Sequence, residues 1–153
     1  MIRKIYLAGA MQTYGVNSNE AKGWRDEVKK FFSKYSLGFE CISPVDFYAY
    51  GEHNYQRDCE VMRFDLRKVK EADVILVRLD DVRKSLGTSD EILYAYLLGK
   101  PIIGFIEADE IKRSIIENIV DYVHPWKYEQ IDRIEVGENA LINACEYIKN
   151  YYF

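Results

Sequence analysis

Cysteine, proline and histidine are scarce in this chain: it holds 3, 3 and 2 of them in 153 residues. The cysteines, Cys41, Cys59 and Cys145, are odd in number and far apart, which excludes a disulfide framework and leaves free thiols as the expectation. Cys41, His53 and Cys59 share one region without the paired close spacing of a zinc site, so no metal is expected. An excess of one charge is also missing. Lys plus Arg is 21 against 25 Asp plus Glu, a net charge of −4, and no dense basic run supplies the positive stripe that a nucleic-acid polymer requires of its binder. Long apolar runs are absent too: Val74-Ile75-Leu76-Val77 and the stretch from Pro101 to Ile106 fall far short of the roughly 20 residues of a spanning helix. Charged residues stand close behind Met1 and no small-residue cleavage site follows an apolar stretch, as a signal peptide would require, so the expectation is no membrane partner and a cytoplasmic address.

Several phosphate and nucleophile motifs are lacking as well. No Gly-x-Gly-x-x-Gly follows the first apolar strand and no Gly-x-x-x-x-Gly-Lys-Ser/Thr occurs, which disfavours the usual dinucleotide and triphosphate folds. The Gly-x-Ser-x-Gly elbow of hydrolases is missing. No Ser/Thr-rich loop suited to a flavin phosphate follows that strand either.

What is present is a globular composition, with 48% hydrophobic and 30% charged residues. The length predicts one domain over 1–153, large enough to bury roughly 68–70% of its unfolded surface. Strands are predicted at Lys4 to Ala10, Phe39 to Ser43, Asp73 to Leu79, Pro101 to Ile106 and Glu129 to Glu135. Helices are predicted at Glu20 to Tyr35, Asp58 to Ala72, Ser89 to Leu98, Asp109 to Tyr122 and Glu138 to Tyr152, with an aromatic-rich loop over 45–57. This alternation implies right-handed crossovers and a doubly wound α/β architecture with a parallel sheet of about five strands. Ligands then bind beyond the carboxyl ends of the strands, after Ala10, Ser43, Leu79 and Ile106.

Two carboxylates there draw attention. Asp65 shares a helical stripe with Val61, Val69 and Ala72, a position that faces the core, where a carboxylate costs stability unless paired or solvated in a cleft. It could equally be bonded to a nearby backbone N–H. Glu91, in Gly87-Thr88-Ser89-Asp90-Glu91, opens a helix after the most hydrophobic strand, where the helix dipole favours an ionised carboxylate. Thr88-x-x-Glu91 also fits a capping box, with Glu91 reaching back to the Thr88 N–H. The helix that follows, Ile92 to Leu98, is apolar on every face, which predicts cover from another subunit or from its own chain.

Lys4-Ile5-Tyr6-Leu7-Ala8-Gly9, Asp65-Leu66 with Ala72-Asp73-Val74-Ile75, and Gly87-Thr88-Ser89-Asp90-Glu91 running to Tyr94-Ala95 and Gly99-Lys100-Pro101 together resemble the nucleoside 2-deoxyribosyltransferase family over residues 4 to about 120. The resemblance implies a flavodoxin-like sheet, no cofactor, a nucleoside or nucleotide as the small-molecule partner, and a homo-oligomer with shared sites. It makes Glu91 the nucleophile, Asp65 an active-site carboxylate and Tyr6 the phenol that orients the nucleophile. Asn118, in Glu117-Asn118-Ile119-Val120, is similar to the residue these enzymes lend to a neighbouring subunit. Gly9, Asp46, Asp81, Ser85 and Gly87 join it as candidate substrate contacts; Asp46 and Asp81 can instead be turn residues, the commoner role of an Asp at such a position.

The match is not uniform. Where transferases tend to have an Asp six residues before the nucleophile, this chain has Ser85, and Ser85-Leu86-Gly87 is similar to related deoxynucleoside 5′-monophosphate N-hydrolases, in which such a serine contacts phosphate. The loop Ala10-Met11-Gln12-Thr13-Tyr14-Gly15 lacks the Ser and Arg those hydrolases use. Expected chemistry is therefore N-glycosidic cleavage through a glycosyl-Glu91 intermediate with transfer to another base; hydrolysis of a nucleotide is the alternative, and a non-catalytic nucleotide-binding module the second alternative.

Overall fold

A computed structural model of the chain describes residues 1–11, 18–35, 38–47 and 56–152. Five strands form one parallel sheet: β1 (Arg3–Ala8), β2 (Phe39–Ile42), β3 (Val74–Arg78), β4 (Ile102–Glu107) and β5 (Arg133–Gly137), in the order β2-β1-β3-β4-β5. All pairings are parallel, Tyr6 lying opposite Ile42 on one side and Ile75 on the other. The helices are α1 (Asn19–Ser33), α2 (Asp58–Glu71), α3 (Leu86–Leu97), α4 (Glu110–Ile115), α5 (Ile119–Val123), α6 (Pro125–Gln130) and α7 (Ala140–Tyr152). None of them is long and apolar enough to cross a membrane.

Alternation along each strand sends neighbouring side chains to opposite layers. Ile5, Leu7, Val74, Leu76, Ile103 and Phe105 meet Trp24, Val28 and Phe32 of α1 and Ala144 and Ile148 of α7. Tyr6, Ala8, Ile75, Val77, Ile102 and Ile106 instead meet Val69 of α2 and Ile92 and Ala95 of α3. Because β1, β3 and β4 are covered on both faces, they read as continuous apolar runs, which is why the sequence located them within a residue or two.

Three boundaries differ from expectation. The α3 helix starts at Leu86 rather than near Ser89, because the Ser85 side chain takes the N-cap position and accepts from the Thr88 N–H at 3.4 Å. The helix predicted from Asp109 to Tyr122 is two, broken at Ile116, with Asn118 capping the second by accepting from Val120 N–H at 2.9 Å. Residues 129 and 130, read as the start of the last strand, close α6, whose first residue is Pro125 and whose cap is the His124 ring. The predicted loop over 45–57 opens with a 3₁₀ turn at Pro44–Asp46; its stretch 48–55, which holds Tyr48, Tyr50, His53 and Tyr55, lies outside the described residues.

Candidate active site

The strand order reverses between β1 and β3: the chain leaves β1 through α1 on one face and leaves β2 and β3 through α2 and α3 on the other. Such a reversal opens a crevice at the carboxyl edge of the sheet. The side chains that resist an apolar explanation gather beside it.

Glu91 lies in the second turn of α3, on a buried stripe with Thr88, Ile92 and Ala95. Only 8% of it is exposed, and its Oε2 atom is buried with no hydrogen-bond partner. With the cap at Ser85, the capping-box reading is excluded, since Glu91 is too far along the helix to reach the N-cap amide. Burial pushes the Glu91 carboxyl up to about 8; the Asp65 and Asp90 charges push the same way, while a hydrogen bond from Tyr6 and the Arg25 charge pull it down.

Tyr6 is fully buried on β1 and points to the α2–α3 side, an arrangement fixed by the pleat that sends Ile5 and Leu7 to the opposite layer. Asp65 is half-buried on α2, which packs beside α3, and its charge is felt at Glu91. The structure thus brings Glu91, Asp65 and Tyr6 into one electrostatic cluster. Its neighbourhood also receives the Arg25 guanidinium of α1, a residue the sequence reading passed over. The signal was present: Ala21, Val28 and Phe32 place Arg25 on a core-facing stripe, the same anomaly that singled out Asp65.

The other candidates divide. Ser85 and Gly87 stand at the first turn of the helix that carries Glu91, but the Ser85 hydroxyl is engaged with Thr88, to whose Oγ1 it lies at 2.8 Å. Gly9 follows β1, and its carbonyl accepts from Arg25 at 3.1 Å. Asp46, at the carboxyl end of β2, pairs with Lys29 at 2.6 Å. Asp81 adopts a left-handed backbone, φ 57°, in the turn after β3, with Lys84 at 3.6 Å. Asn118 spends its side-chain oxygen on its own helix.

Next to Asp81, the sequence reading gave Asp80 no role, yet it is buried and accepts from Lys112, from Tyr122 at 3.0 Å and from Arg78 at 3.3 Å. These bonds tie the loop after β3 to α4 and α5, so Asp80 organises the crevice rim. Of the loop after β1, residues 12–17 lie outside the described residues.

Fold and site define an α/β protein whose polar centre is a carboxylate cluster at the switch point of a five-stranded parallel sheet. More narrowly, the chain belongs to the nucleoside 2-deoxyribosyltransferase family, whose model matches residues 5–142. No curated protein matches it. Among solved structures, a conserved protein from Enterococcus faecalis V583 is similar with a TM-score of 0.66 and 17% identity, covering 95% of this chain and 98% of the other. A CMP N-glycosidase from Clostridium botulinum is similar at 0.57 and 16%, covering 97% and 99%. A 2-deoxyribosyltransferase from Bacillus psychrosaccharolyticus reaches 0.50 and 23%, covering 67% and 72%. At these identities the likenesses speak for the fold.

Proposed function

We propose that this protein cleaves the N-glycosidic bond of a 2-deoxynucleoside and transfers the sugar to another base, with Glu91 as nucleophile. The observation that carries the reading is Glu91 itself: a buried carboxyl on a core stripe, excluded from capping, beside a buried phenol and a second carboxylate. Such a group costs stability, and a core rule broken without local compensation is where function is expected.

As the bond between C1′ and the base nitrogen lengthens, its electrons move to the base and the sugar becomes oxocarbenium-like. The Glu91 carboxylate stabilises that charge and closes an ester to C1′. The Glu91–Asp65 pair enters the reaction with one proton, carried by Asp65 while Glu91 is ionised; the departing base nitrogen takes that proton from Asp65, and Tyr6 holds the attacking oxygen in line. A second base then attacks C1′, Glu91 leaves as carboxylate, and the incoming base returns a proton to Asp65. Asp46, Asp81, Gly9, Ser85 and Gly87 line the substrate's approach, and Asn118 reaches the site of a neighbouring copy. The proposed assembly is a homo-oligomer, supported by α3, which leaves Leu86, Leu93, Tyr96 and Leu97 exposed.

A second reading, hydrolysis of a nucleoside 5′-monophosphate, is favoured by the α3 N-terminus. Ser85 stands there in place of an acidic residue, and among the described residues Gly87 has nothing within 4 Å of where a Cβ would be, which leaves a phosphate room beside a positive dipole end. Incubation with a deoxynucleoside plus a different free base, and separately with a deoxynucleotide alone, tests both. A new nucleoside supports transfer, and free base with sugar phosphate supports hydrolysis. If neither product forms, the catalytic reading is rejected in favour of a binding module.

A further inference from the structure

Arg25 has no part in the chemistry above, although it is among the largest fully buried side chains. A guanidinium in a core layer is tolerated only when its donors find acceptors. Here Nε donates to the Leu7 carbonyl at 3.3 Å, Nη2 to the Gly9 carbonyl at 3.1 Å and Nη1 to the Ala21 carbonyl, while the plane covers the Trp24 ring at 4.5 Å. Two of those three acceptors belong to the end of β1, next to Tyr6. Gly9 completes the fit, since a Cβ there would stand 3.0 Å from Trp24 Cζ2 and 3.5 Å from Arg25 Nη2.

All three acceptors are neutral carbonyls, and among the described residues Arg25 forms no ion pair, so no contact there cancels its charge. The groups felt at Glu91 come from four elements: the Tyr6 hydroxyl of β1 by a hydrogen bond, and the charges of Asp65 on α2, Asp90 on α3 and Arg25 on α1. Arg25 in turn faces Arg78 at the end of β3 and Asp46 beyond β2. Asp65 and Asp90 oppose ionisation of Glu91, and Arg25 is the cation that favours it.

We propose that Arg25 is a positioning residue for the Glu91 centre: its guanidinium locks the end of β1 to α1 so that Tyr6 meets Glu91, and its uncancelled charge keeps the buried carboxylate available for attack. The inference rests on Glu91 being the attacking group.

The test is the pH profile of kcat and kcat/KM for the unmodified chain, Arg25→Gln, Arg25→Met, Arg25→Lys and Glu91→Gln. In the neutral Gln and Met variants the acid limb of kcat/KM moves to higher pH by about one unit, because a lost opposite charge makes the carboxyl harder to ionise. Their kcat near neutrality falls about tenfold while KM stays within about twofold, as expected when only the reacting state is harmed. Arg25→Lys keeps the charge and loses the three-way clamp, so its limb stays in place while kcat drops.

A limb unmoved in the neutral variants, or displaced as far in Arg25→Lys as in them, overturns the inference. Should neither neutral variant fold, Arg25→Lys decides: a displaced limb or an unchanged kcat overturns it, and reduced kcat with the limb in place supports it. Full turnover in Glu91→Gln is a different failure, that of Glu91 as nucleophile.

Discussion

Glu91 sets a conflict between stability and reactivity that can be measured at the residue scale. Its carboxyl rises from an ordinary 4.5 to about 8 on folding, so between those pH values the unfolded chain has released a proton that the native chain retains. Stability therefore falls as pH climbs from 4.5 to 8 and levels off above, while Glu91→Gln carries no such slope. Thermal unfolding should find Glu91→Gln close to the unmodified chain at pH 5 and more stable by roughly 2–4 kcal/mol at pH 8.5, with turnover abolished. A Gln variant less stable at both pH values would sink this account of the burial.

Asp65→Asn removes a negative charge facing Glu91, so the acid limb of kcat/KM should move to lower pH, opposite to the neutral Arg25 variants. If Asp65 also protonates the departing base, kcat falls as well, and substrates with good leaving groups lose least. Asp65 was legible because Val61 and Val69 define its stripe. Arg25 was equally legible by that rule, since it stands on the core-facing stripe of α1 between Ala21 and Val28. The pairing of Glu91 with Tyr6 was not readable from spacing, since it depends on which face of β1 the pleat presents to α3.

At the scale of elements, the start of α3 decides where Glu91 points. Ser85→Ala removes the cap and should cost about 1 kcal/mol in denaturant unfolding. It should also raise KM, because the first turn frays beside the substrate. The sequence placed this start three residues late: Thr88 and Glu91 imitate a capping box, and only the hydrogen bonds of Ser85 show which of two plausible caps is used.

The same ambiguity hid the break at Ile116 and the short α6. Each is a helix of six residues or fewer, too short for periodicity to register, and each depends on a cap, Asn118 or His124. Strand β4 offers a sharper packing test. A Cβ at Gly104 would stand 2.5 Å from Leu79 Cδ1 and 3.5 Å from Ile131 Cγ2, so Gly104→Ala should destabilise by about 1–3 kcal/mol without changing the pH profile.

The whole molecule leaves an apolar strip on α3, with Leu86 81% and Leu97 70% exposed, beside Leu93 and Tyr96. Water contact on so many large side chains of one helix favours association. Light scattering should find more than one subunit in solution, and Leu93→Glu with Leu97→Glu should return a monomer whose activity falls if Asn118 serves a neighbour's site. A monomeric, fully active parent chain would reject the assembly.

The sequence by itself determined the parallel α/β class, the central strands and the identity of both anomalous carboxylates, because burial on two faces and a charge on a core stripe are one-dimensional patterns. Tertiary structure alone decided that the crossovers bring β1, α2 and α3 around a single carboxyl group. It also decided that an arginine from the opposite layer reaches that centre over the end of β1. Those outcomes are set by sheet order and pleat direction, which relate residues far apart in the chain and leave no trace in local spacing.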